Sequence, residues 1–263
     1  VKDQLAVGQL RAAVETAPAE VRSRPNDSGA RYILSQLLCI EGELERADKQ
    51  LDIIAQQEAN LAPAVVQLRQ VIRAEQARQQ FLTEGRLPEF LRPPSDHVKL
   101  CLEAAVSLRR GSVEKAAELA ARAEDLRPHP TGTCNGRPFD DFRDLDDLTA
   151  GYLEVLTTTG KFYVVAIDEI SRMEFHRPEN PGDLIWRRIQ MAVHDGPDGE
   201  VFIPAIYATR NTMDDGARLG RTTEWIGSEG EPIQGVGQRS FLVGEEDIPI
   251  MELADIEFNI ASK

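Results

Sequence analysis

Residues 30–54, ARYILSQLLCIEGELERADKQLDII, carry the reading that decides the fold of the first half of the chain. Before Gly42, the apolar residues Ile33, Leu34, Leu37, Leu38 and Ile40 recur at helical spacing. After it, Leu44, Ala47, Leu51 and Ile54 do the same. Gly42 falls where one helix stops and the next begins, a place that favours a residue tolerating positive φ. Ala47 is small where the two helices would cross. The spacing predicts a helical hairpin.

The hairpin recurs. Gly8-x-Leu10-x-x-Ala13 matches Gly42-x-Leu44-x-x-Ala47 at an interval of 34 residues, the tetratricopeptide period. A third copy, Gly111-x-Val113-x-x-Ala116, lies 69 residues beyond Gly42, close to two periods. Pro25 follows Gly8 by 17 residues and Pro128 follows Gly111 by the same 17, where such repeats carry a terminating proline. Glycine and alanine are common, but three signatures with two aligned prolines predict a tetratricopeptide-like array.

Outward from the hairpin, residues 1–18 read as a helix, and Pro25-Asn26-Asp27-Ser28 breaks it and caps the next. Asn60 is placed to cap a long helix from Ala62 to Phe81, with Pro63 in its first turn, where a missing N–H costs least. Arg69, Arg73 and Arg78 lie off the apolar face of that helix and read as solvated charge, the alternative being a carboxylate-binding groove. The segment EGRLPEFLRPPS is loop. Ser95 or Asp96 then opens a helix through Arg110, and Gly111 turns into a last one over residues 113–126, made thin by its alanines. Arg127-Pro128-His129-Pro130 ends the helical half.

Beyond it the texture changes. Tyr152–Thr157, Lys161–Ala166 and Ile170–Phe175 are short runs rich in β-branched and aromatic residues, with a helical turn expected at Ile167-Asp168-Glu169. Leu184–His194 and Glu200–Tyr207 flank a turn in which Asp198-Gly199 is the hairpin signal. Ser240–Val243 and Pro249–Ile256 supply two more candidate strands, and Asp144–Leu153 admits a helix. Charge shifts at the same place: residues 1–130 hold 18 Lys+Arg against 19 Asp+Glu, and residues 131–263 hold 12 against 25. The expected fold class is therefore α+β. Residues 1–130 form a tetratricopeptide-like helical domain, and residues 131–263 form a small, acidic, mostly antiparallel β domain, an open barrel or a sandwich.

Composition excludes several roles. With 263 residues, 41% hydrophobic and 28% charged, the chain has the length of two ordinary domains and the balance of a folded protein. It contains no run of about 18 apolar residues that could cross a membrane. Its opening VKDQLAVGQLRAAVE does not read as a signal peptide. A net charge of −14 repels phosphate backbones, so nucleic acid is not an expected partner.

The sequence carries few chemical motifs. Phosphate-cradling glycine loops, GxSxG and HExxH are absent. Cys39, Cys101 and Cys134 are scattered and read as reduced, buried thiols of a cytoplasmic protein. His129, Cys134 and Asp140 could surround a metal, though a loop histidine and a buried thiol are the commoner reading. Asp140, Asp141, Asp144, Asp146 and Asp147 could hide a paired-carboxylate hydrolase, against helix capping and solvated charge. Trp186 and Trp225 read as β-domain core, with binding anchors as the alternative. No catalytic residue, metal ligand or cofactor is assigned.

The blocks ILSQLLCIEGELERADKQLDII, NGRPFDDFRDLDDLTAGYLEVL, GKFYVVAIDEISRMEF and DLIWRRIQM, continued by GEVFIPAIY, LGRTTEW and GVGQRSFLVGEEDIPIMELADIEF, resemble the ImpE/TagJ (SciE-type) family over nearly the whole chain. The resemblance implies a cytoplasmic, non-enzymatic accessory protein of the type VI secretion system. It further implies binding to the small subunit of the contractile sheath through a helix near that subunit's N-terminus, with an indirect link to the ClpV ATPase. The competing readings are a tetratricopeptide chaperone for a secreted effector and the acidic-segment hydrolase.

Helix binding also has a physical basis, because stacked helical repeats present a concave surface. With Gly42 at position 15 of its repeat, the inward-facing residues are Tyr32, Gln36 and Cys39, and by the same alignment Val98, Cys101, Ala105 and Leu108. These seven are the expected partner-binding residues. The alternative is that they pack against the β domain or the long central helix.

Overall fold

In the computed structural model, which describes residues 1–209 and 213–259, all three repeat glycines lie in the left-handed region. Gly8 and Gly42 have φ 82° and Gly111 has φ 79°, conformations a side chain resists, so each ends one helix and admits the next. Helix α1 (Lys2–Ala6) turns at Gly8 into α2 (Leu10–Ser23), and α3 (Ser28–Ile40) turns at Gly42 into α4 (Leu44–Gln57). The long α5 (Ala62–Glu84) follows, and α6 (Asp96–Arg109) turns at Gly111 into α7 (Val113–Leu126). The single helix expected over residues 1–18 is thus two, because Gly8 acts as Gly42 does. Ala13, Ala47 and Ala116 are each 0% exposed, so the small residue of every signature lies inside the helical packing.

The caps differ in one place from expectation. Asp27 accepts the Ala30 N–H at 2.9 Å and caps α3. Asn60 does not cap α5: it lies in a 3-10 turn over Ala59–Leu61, and Leu61 holds the N-cap position with no side-chain bond.

After α7 the chain turns to strands: β1 (Gly132–Cys134), β2 (Arg137–Phe139), β3 (Phe142–Asp144), β4 (Tyr152–Thr157), β5 (Phe162–Ala166), β6 (Ile170–Phe175), β7 (Trp186–Val193) and β8 (Asp198–Pro204). The one-turn α8 (Asp215–Arg218) precedes β9 (Thr223–Ile226), β10 (Gln234–Gly237), β11 (Ser240–Val243), β12 (Glu246–Pro249) and β13 (Asp255–Phe258). Among the described residues, eight strands form one antiparallel sheet in the order β2-β1-β13-β6-β7-β8-β4-β5. A three-stranded sheet, β12-β11-β3, and a β10-β9 ribbon complete the α+β fold.

Several local expectations are corrected. The β7–β8 turn is at His194–Pro197, with Asp195 at φ 49°, so Asp195-Gly196 makes the turn and Asp198-Gly199 begins the return strand. Pro197 has no N–H to give to a ladder and stays outside it. Pro249–Ile256 is not one strand: a 3-10 turn over Ile250–Glu252 separates β12 from β13. Residues 145–151 are turns, not helix. The turn expected at Ile167–Glu169 is present as 3-10 helix.

Alternation along the strands serves two cores. In β4, Tyr152 and Leu156 join the helical core with Leu37, Ile72 and Phe81, while Leu153 and Val155 face the other side. There they meet Phe142, Phe241 and Val243 of the smaller sheet, with Phe142 stacked on Phe241 at 5.1 Å. Element type therefore changes between Leu126 and Gly132, near the expected limit at residue 130, while the first apolar core runs across that limit. The short α8 is tied to the repeats as well: Arg218 donates to the Glu41 carbonyl at 3.2 Å, and Asp215 accepts the Arg11 N–H at 3.1 Å.

Candidate functional site

Helix α5 packs against α4 on one side and against β4 and β5 of the large sheet on another, while a third side, with Arg73, faces water. Arg78, expected to be solvated, is buried with Glu75. Arg78 Nη2 donates to Glu154 Oε2 at 2.9 Å and to the Ile206 carbonyl at 3.1 Å, and Nη1 lies 3.2 Å from Glu75 Oε1. Glu154 is mid-strand in β4, where alternation places it on the helix-facing side with Tyr152 and Leu156. Its Oε2 also receives Arg239, which is 0% exposed between β10 and β11. Arg239 Nη1 reaches Asp144 Oδ2 at 2.7 Å, the Tyr207 hydroxyl donates to Asp144 Oδ1 at 2.8 Å, and Trp186 Nε1 donates to Glu75 at 3.2 Å.

Burial sets the charge balance of this network. It pushes the carboxyls of Glu75 and Asp144 up despite Arg78 and Arg239. Burial, with Asp144 beside it, raises Asp146 to about 7. Burial also works against the Glu154 carboxylate, but Arg78 and Arg239 outweigh it and hold that group below its usual range. A buried ion costs several kcal/mol of desolvation unless paired and hydrogen-bonded, so these groups depend on one another for their place in the fold.

The acidic segment is engaged in the same structural work. Asp141 binds Arg127 through both oxygens at 2.7 Å and His129 at 3.1 Å. Asp146 accepts the N–H groups of Leu148 at 2.8 Å and Gly235 at 3.0 Å. Asp147 takes Arg143 and the Ile233 N–H, both at 2.8 Å, while Asp140 is exposed. Ser95, His97 and Asp168 come together without forming a relay. The Ser95 hydroxyl lies 3.1 Å from Nδ1 and 3.4 Å from Nε2 of His97, and Asp168 stands 3.6 Å from Nε2, outside hydrogen-bond range. Among the described residues no three His, Cys, Asp or Glu side chains gather as a metal site, and no helix is long and apolar enough to cross a membrane.

The seven residues expected to bind a partner do not share one groove. Val98 and Cys101 are buried in the helical core, where burial pushes the Cys101 thiol up to about 12. Cys39 is buried too, at the wall of a cavity of about 310 Å³ beside Trp186 and Tyr207. Ala105 and Leu108 stay half-exposed and line a neighbouring cleft of about 320 Å³ with Phe81, Leu82, Leu148 and Ile226. Asp146, Glu154 and Arg239 also line it. Tyr32 and Gln36 border a third cavity of about 200 Å³ against the Pro181–Leu184 turn. Trp225, read as core, is 40% exposed and rests edge-on against Tyr207 at 5.9 Å.

The charged network escaped the sequence reading, although one signal was available. Glu154 interrupts an apolar β-run, and β4 is buried at every position from Tyr152 to Leu156. A carboxylate in such a strand must find a cation.

Comparison with known proteins agrees across the chain. The family model described as ImpE protein matches residues 136–257. The chain is 29% identical over 258 residues to the type VI secretion system accessory component TagJ of Pseudomonas aeruginosa, covering 98% of this chain and 90% of that protein. The X-ray structure of protein VPA1032 from Vibrio parahaemolyticus is similar at a TM-score of 0.91 and 30% identity, covering 98% of this chain and 97% of that one.

Proposed function

The chain belongs to the ImpE/TagJ family, and from that premise we propose a non-catalytic accessory protein of type VI secretion that binds a helix of the small sheath subunit. Its place of action is the cytoplasm, and its link to the ClpV ATPase runs through the sheath. The observation that carries the reading is the cleft at Ala105 and Leu108. Its lining combines the apolar Phe81, Leu82, Ala105, Leu108, Leu148 and Ile226 with the charged Arg109, Asp146, Glu154 and Arg239, and draws on α5, α6, β4 and the β9–β10 ribbon. An amphipathic helix buries a few apolar anchors in such a site and leaves its polar face in water. A non-catalytic role is supported by the acidic residues Asp141, Asp144, Asp146 and Asp147, each committed to an arginine or to backbone N–H groups.

A labelled peptide of the sheath subunit's N-terminal helix, titrated into the full chain, tests the reading. Binding should need neither nucleotide nor metal and change little with salt. Leu108→Asp should weaken it about tenfold or more, equivalent to roughly 1.4 kcal/mol. Absence of binding to both the peptide and the intact sheath subunit would overturn the reading in favour of the effector chaperone.

A further inference from the structure

We propose that β9 is a docking edge, to which an extended, lysine- or arginine-bearing segment of a partner protein adds as a third strand of the β9–β10 ribbon. The register shows which main-chain groups face outward. On the far side of β10, Gly235 donates its N–H to Asp146 at 3.0 Å and Ile233 donates to Asp147 at 2.8 Å. The Gly237 carbonyl accepts the Tyr207 N–H at 2.9 Å. These odd-numbered residues therefore point away from β9, and the even-numbered ones face it, as Gln238 does in donating to the Thr222 carbonyl at 2.9 Å. Bonding alternates along an antiparallel pair, and Thr223 and Trp225 stand opposite Gly237 and Gly235. Their N–H and C=O groups thus point out of the ribbon, where they meet no partner among the described residues.

Other edges of the fold are guarded against such pairing. Pro138 lies in β2 and Pro249 in β12, and β5 is covered by Glu89, whose N–H donates to the Phe162 carbonyl at 2.9 Å. The β9 edge has neither a proline nor a covering segment among the described residues, and it carries the exposed indole of Trp225. Contact with Tyr207 holds that ring in place, as suits an anchor for an incoming chain. Charge selects the occupant. Between Arg221 and Arg239 the chain carries Glu224, Glu229 and Glu231, all exposed, and no lysine or arginine. A basic strand would find opposite charges across the new pair, whereas a second copy of this chain would set Glu224 among like charges. Thr223, Glu224 and Trp225 lie outside the lining of the helix cleft, so the edge does not depend on the helix-binding reading.

The test follows amide hydrogen exchange in ¹H–¹⁵N spectra of the full chain, with short capped peptides as probes. A peptide alternating lysine with valine should slow exchange at the Thr223 and Trp225 N–H groups about tenfold or more at saturation, and leave Glu224, already bonded to β10, unchanged. A lysine–proline peptide of equal charge, which cannot extend a ladder, should protect neither group. A glutamate–valine peptide should bind far more weakly than the lysine–valine one, and Trp225→Ala and Glu224→Gln should each weaken the latter several-fold. Absence of protection by lysine–valine, equal protection by lysine–proline, or equal binding of glutamate–valine would overturn the proposal. So would protection that is present without peptide and grows with protein concentration, since that would mark pairing between copies of this chain.

Discussion

Arg78 of α5 donates to Glu154 of β4 at 2.9 Å, with both side chains almost wholly buried, and so fastens the helical layer to the sheet. Arg239 and Asp144 extend the link from the sheet side, and Glu75 extends it along the helix. The two halves are therefore joined by an apolar core and by ion pairs enclosed within it.

Arg78→Ala would leave Glu154 and Glu75 short of a buried partner. Breaking such a pair costs about 3–5 kcal/mol, whereas Arg73→Ala, on the exposed face, should cost less than ~0.5 kcal/mol. Urea unfolding of both variants measures the difference. Equal losses would mean that the pair adds nothing beyond surface charge.

Residues 1–130 and 131–263 differ in element type, but Tyr152, Leu156, Phe162 and Trp186 lie in the core of the helices. Fragment 1–130 should therefore lose the cover of α5 and fail to unfold cooperatively by circular dichroism. A sharp transition at the stability of the whole chain would show two independent folding units.

Ala47→Leu adds three carbons at a 0% exposed crossing of α3 and α4, and should destabilise by ~1–3 kcal/mol. Gln50 is no neutral control, because its Oε1 accepts from Arg31 at 2.8 Å. Lys49, on the exposed face, is the proper comparison, and Lys49→Leu should change stability by less than ~0.5 kcal/mol. Thermal denaturation of the two variants distinguishes them.

Asp146 titrates at about 7 in the fold against 3.8 for a free side chain, because it is buried beside Asp144. The fold holds this proton more tightly than the unfolded chain does. Its contribution is present in full below 3.8 and is lost as pH rises through about 7. Glu75 and Asp144 act in the same sense, and Glu154 in the opposite one. Urea midpoints measured across this range should decline less for Asp146→Asn than for wild type. An unchanged slope would mean that Asp146 is ionised in the fold throughout.

Local pattern alone determined the repeats. A glycine at a helix turn and an alanine at a crossing depend on backbone conformation and close approach within one hairpin, so Gly8, Gly42 and Gly111 could be read without knowing what packs on them. Most strands were legible for a similar reason, since β-branched and aromatic runs mark them directly. The tertiary structure decided which faces are covered. Val98 and Cys101 satisfy the same helical alignment as Ala105 and Leu108, yet the first pair is buried and the second borders a cleft. Arg73 and Arg78 stand five residues apart on one helix, one in water and one paired across the core with Glu154, 76 residues further along the chain. Periodicity shows which residues share a helix face. Whether that face meets water, an apolar core or an opposite charge depends on segments distant in sequence, and only the folded chain brings them together.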